Sequence, residues 1–213
     1  MTTATATAHS TPRSSRLSRT IALARAEFTQ FLRNPTLLFT ALLFPLGLTV
    51  IMFVSTPASS GKAFAASLAL ETSVLMTMLL VVYYSVLSMS TTRRDEKVLK
   101  RLRTGEAKDS DILVAIAAPS SLLAVVLMVL ALVLLIVLGA PAPVNVVPLI
   151  VAVLGGIAVS AALGFLTSAF TINAEAAQIT SLPVMILAIA SQSTFRALMP
   201  EQVTRIIDRT PFA

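Results

Sequence analysis

The chain has no cysteine and no tryptophan, a single histidine, and only 12% charged residues. The missing cysteine excludes a disulfide, a thiol nucleophile and a thiolate metal site. His9 stands alone in a polar tail, which leaves no basis for imidazole chemistry or a metal centre. Soluble domains carry roughly 25% charge, and a chain with half that figure, 56% hydrophobic and with a mean hydropathy of +0.87, is not an ordinary water-soluble fold. A 22.5 kDa protein has no interior large enough to hide so much apolar surface, so that surface faces lipid. The net charge of +6 is read through its placement, which follows loops and not a nucleic-acid-binding face.

Five stretches are long and apolar enough to approach the roughly 20 residues a membrane helix needs. They run over 36–54, 68–90, 112–138, 149–172 and 178–195. The predicted fold is therefore all-α, a polytopic transmembrane bundle with five spans in this chain. Residues 1–15 are small and polar without an apolar period, and read as a disordered tail. Over 16–34 the apolar residues Leu17, Ile21, Phe28 and Phe31 recur at helical spacing among arginines, the pattern of an amphipathic interfacial helix. It ends at Asn34-Pro35, because proline disfavours helix in the residue before it.

Twelve of the 16 basic residues lie in the amino-terminal segment or in the loop 91–111. That side is predicted to be cytoplasmic, with the amino terminus inside and the tail 196–213 outside. The nucleotide lure Ser60-Gly61-Lys62 fails as a phosphate loop, since Thr56 replaces its first glycine, Ala63 follows the lysine and no strand precedes it. The chain is thus expected to carry no ATPase site and to perform no covalent chemistry.

Three features remain as candidate sites. Glu71 is the only acid inside a span, where a charge at the bilayer centre costs at least about 2.5 kcal/mol. It reads equally as a substrate or proton site, or as a rim residue reaching headgroups or Lys62. In the fourth span Ala152, Gly156, Ser160, Gly164 and Ser168 recur every four residues, a small-residue face for close helix packing within a bundle or at a dimer interface. The loop 91–111 mixes seven basic residues with five acids, a mixture that suits a protein socket better than a purely lipid surface.

Taken together, Arg33-Asn34-Pro35 with Leu43-Phe44-Pro45, RRDEKVLKRLR at 93–103 with Asp111-Ile112-Leu113, NAEAAQITSLP at 173–183 and Leu198-Met199-Pro200 resemble the membrane subunit of bacterial ABC exporters of the type-2 permease family. The resemblance implies a subunit that dimerises, moves a drug-like, lipid or glycan substrate across the bacterial inner membrane, and pairs with a separate ATP-binding subunit that holds the ATP and magnesium. It implies six spans, so the reading frame is expected to continue beyond Ala213. Within it, Glu96, Leu99, Lys100, Arg101, Leu102 and Arg103 match the segment that couples to the ATPase. Two rival readings stay open: a non-transporting membrane scaffold for a cytoplasmic partner, and a proton-coupled carrier using Glu71.

Overall fold

The computed structural model describes residues 29, 33, 35–95 and 109–196. The tail 1–15, the interfacial-helix residues Leu17, Ile21, Phe28 and Phe31, the coupling segment Glu96 to Arg103 and the tail beyond Arg196 lie outside the described residues. Every regular element among the described residues is helical. These are α1 (Pro35–Ser55), α2 (Lys62–Asp95), α3 (Asp109–Val137), α4 (Val147–Phe170), α5 (Ala176–Ala190) and the short α6 (Ser193–Arg196), with one 3-10 turn at Ala58–Ser60.

The helices run alternately up and down. One end of the bundle holds the root of the charged loop, at Asp95 and Asp109, together with the turn 171–175; we call it the charged end. The far end holds the turns 56–61, 138–146 and 191–192. Turn chemistry sets these reversals. Gly61 (φ +81°) and Gly139 (φ +88°) occupy left-handed conformations that favour glycine. The Asn145 side-chain oxygen accepts the Val147 N–H (2.9 Å), and that of Asn173 accepts the Ala176 N–H (2.7 Å), so each caps the start of the next helix.

Three helices are long and apolar enough to cross a membrane: Lys62–Asp95, Ile112–Val137 within α3, and Val147–Phe170. Two shorter apolar helices, Leu42–Ser55 and Ala176–Ala190, accompany them. The apolar faces of α3 and α4 point outward through Val125, Val129, Val133, Ile150, Leu154, Leu166 and Phe170. This is the surface that lipid solvates at no cost and water would not.

Helix α2 is the hub. Its Val81 packs with Leu127 of α3 beside Leu42 and Leu46 of α1. Nearer the far end, Ala66 and Ala69 join Leu135, Met52 and Phe53. Met78 and Val82 turn to Ala124, Met128 and Val153. Leu79, Tyr83 and Leu87 face Ala177 and Ala188 of α5. Each neighbour thus meets a different stripe of one helix. Small side chains at Thr72, Ser73, Thr77, Ser85 and Ser90 are buried between these stripes and allow close approach.

Of the expected stretches, 68–90, 112–138 and 149–172 fall on the three long apolar helices, and 36–54 falls on α1. The second helix is longer than the apolar stretch 68–90, because Lys62-Ala-Phe-Ala-Ala-Ser extends it at one end and Thr91 to Asp95 at the other. The fifth stretch departs further. Instead of one helix over 178–195, α5 stops at Ala190 and the chain restarts at Ser193. At 15 residues α5 is about 22 Å long, short of the roughly 30 Å of hydrocarbon. Between the two pieces the Ser191 N–H is shared by the Leu187 and Ala188 carbonyls and the Gln192 N–H turns to Ile189, a tightened last turn.

Candidate functional site

The centre of α2 is not α-helical. Residues Thr77–Tyr83 form a π-helix, whose wider turn absorbs an extra residue and shifts the stripes on either side of it. Helix α4 crosses here, and its small-residue face is what lets it do so. A Cβ on Gly164 would stand 2.9 Å from the Tyr83 carbonyl oxygen and 3.1 Å from Val86, so the backbones meet where only glycine fits. Ser160 is buried one turn away. A Cβ on Gly156 would meet only the flexible Met78 side chain, at 3.2 Å. Tyr83 then donates its hydroxyl to Thr167 (3.3 Å), while Thr167 donates to the Leu163 carbonyl. Around Gly164 the face predicted for helix packing thus meets α2 of the same chain, whereas its Ala152 and Gly156 end borders open space.

At the charged end, Arg94 closes α4. Its guanidinium donates to the carbonyls of Ser168 (2.8 Å), Thr171 and Ile172 (3.3 Å), satisfying carbonyl groups that a helix C-terminus leaves open. The next residue, Asp95, accepts the Ala174 N–H (3.0 Å) in the turn before α5. The last two described residues before the charged loop are thus bonded to the hinge between α4 and α5. Sequence reasoning counted Arg94 as a topology-determining charge and as part of the charged loop 91–111; the cue that it also caps a helix was the Arg-Asp pair at the end of a span, which satisfies carbonyl and N–H groups together.

At the far end, Glu71 is half-buried on α2. Its carboxylate accepts the backbone N–H of Ser193 (2.6 Å) on one oxygen and the Ser193 hydroxyl (2.5 Å) on the other. Nearby, the Gln192 amide donates to the Thr72 hydroxyl (3.3 Å). Lys62 is not the partner of this carboxylate. The Lys62 ammonium instead sits over the Gly139 turn, 2.9 Å from where a Cβ on that glycine would be. Because Glu71 takes the Ser193 N–H, that group is not left unsatisfied where the helix breaks.

Between α2, the far half of α4 and the Ser191-Gln192 break lies a crevice of about 580 Å³, within the size range of small-molecule sites. Its walls are mainly apolar. Glu71, Ser160, Ser191 and Gln192 are its polar groups. Thus Glu71, Gly156 and Ser160 are brought together around one cavity, whereas Gly164 lies deeper, at the helix crossing. The described residues hold no group of three or more acid or histidine side chains placed to bind a metal. No protein-family model, curated protein or solved structure matches the chain.

Proposed function

We propose that the chain is the membrane-embedded permease subunit of an ATP-driven exporter, with five spans, the amino terminus in the cytoplasm and its energy supplied by a separate ATPase. The observation that carries this reading is the bonding of Arg94 and Asp95 to the α4–α5 turn. A partner gripping the loop 96–108 pulls on those two residues. They in turn pull on the two helices whose opposite ends border the crevice, so force applied at one surface reaches a cavity near the other. An oscillating grip, as ATP binding and hydrolysis would give, then opens and closes the cavity by rigid-helix motion. Helix α5 with α6 serves as the fifth span in a broken form, a construction that membrane proteins use where backbone lines a cavity.

The loop residues Leu99 and Leu102 are the proposed apolar anchors in the ATPase groove, with Glu96, Lys100, Arg101 and Arg103 around them. The test is Leu99→Asp with Leu102→Asp, measured by co-purification with the ATPase encoded beside the chain and by ATP hydrolysis in lipid vesicles. Burying a leucine contributes roughly 1.5 to 3 kcal/mol, so loss of both should separate the complex while the spans still insert. Undiminished association and hydrolysis would remove the coupling role and favour the scaffold reading.

A further inference from the structure

We propose that the crevice between α2, α4 and the Ser191-Gln192 break is a binding site for a lipophilic monocation, whose apolar body lies against Val74, Met78 and Val159 and whose charge is held by Glu71. Three observations lead there. Glu71 is the only charged side chain among the described residues that line the crevice, so the site has one sign of charge and no internal counter-ion. Its carboxylate is already oriented. Ser193 occupies one acceptor position on each oxygen, and a carboxylate oxygen has two, so one on each remains for a cation without any bond being broken.

The third observation is the wall opposite. Ala152, Gly155 and Gly156 give α4 little side chain where it borders the crevice, beside Val153, which packs on α2, and a Cβ on Gly155 meets nothing within 4 Å. The volume therefore arises from small residues on a rigid helix, and it is closed at one end by the buried side chains of Ser191 and Gln192. An uncharged lipid tail would find apolar walls but no use for a fixed carboxylate. An anion would meet Glu71 as a like charge. A cation with a bulky apolar body satisfies both halves of the site, its charge beside the carboxylate and its body against the apolar walls.

The site stands apart from the ATPase partnership, so it is tested on the full chain alone. The measurement is saturable binding of tritiated tetraphenylphosphonium to the protein in phosphatidylcholine nanodiscs, with empty nanodiscs subtracted and tetraphenylborate as the competitor of equal shape and opposite charge. Expected are saturation at one site, no displacement by tetraphenylborate, and binding weakened about tenfold or more by Glu71→Gln. Gly155→Leu, which grows into open space in the crevice, should abolish binding while the protein keeps its elution profile. It decides the matter even if Glu71→Gln loses the Ser193 tie and fails to fold. Leu166→Ala on the lipid-facing side of α4 should bind as wild type. Absence of saturable binding, displacement by tetraphenylborate, or wild-type affinity in Gly155→Leu would each overturn the proposal.

Discussion

Two glycines on α4 separate packing from space. At Gly164 a methyl group collides with backbone, which cannot rotate out of the way, so Gly164→Ala should force α2 and α4 apart and destabilise the fold by about 1 to 3 kcal/mol. Gly155→Ala meets nothing and should be neutral or slightly stabilising through helix propensity. Thermal unfolding of the two variants in the same detergent checks the contrast; equal melting temperatures would show that the crossing is looser than 2.9 Å. The four-residue spacing of small side chains was legible in the sequence. Which of them touches backbone was not, because that depends on a π-turn in a helix 80 residues earlier. Arg94 shows the same limit. Its charge was readable, but its three carbonyl partners come from a turn more than 70 residues away. Arg94→Gln should release that turn, seen as faster hydrogen exchange of residues 171–175 with the far end unchanged.

Among the elements, α2 carries most of what the sequence did not disclose. Hydropathy identifies an apolar stretch and helical periodicity gives it a face, but a helix contacted on every side has no single face to display. Its π-segment leaves no mark in composition. The consequence is testable by deletion. Removing Ser88, in the α-helical part beyond the π-segment, should rotate residues 89–95 by about 100° against the first half of α2. Arg94 and Asp95 would then point away from the α4–α5 turn. The deletion should therefore reproduce the exchange behaviour of Arg94→Gln although the missing residue is about 9 Å from Arg94, whereas removing Leu80, the kind of extra residue that a π-turn absorbs, should leave residues 84–95 close to their present register. Unchanged protection of 171–175 in the Ser88 deletion would mean that the two halves of α2 are not in fixed register. The broken α5 was hidden for a related reason: Ser191-Gln192 carries no charge, proline or glycine to mark a break, and the break is completed by a carboxylate from another helix.

For the whole molecule, the all-helical class and the three long apolar helices were legible from apolar length, while the orientation proposed from the basic-residue asymmetry awaits labelling. The absence of cysteine makes that arrangement easy to check. Single cysteines at 58 and 142 should react with an impermeant maleimide from outside intact cells, and those at 104 and 173 only after permeabilisation. Labelling of 173 together with 58 would contradict the Asp95–Ala174 bond as well as the proposed orientation. The tie between Glu71 and Ser193 has a further consequence for the order in which the chain is built. The two residues are separated by 122 positions, and at about 5–20 residues per second a ribosome needs on the order of 6–24 s to cover that distance. Throughout that interval Glu71 has been made and its acceptor sites are unfilled. Until Ser193 emerges, that carboxylate depends on solvent, and not on the break after α5, for its partners.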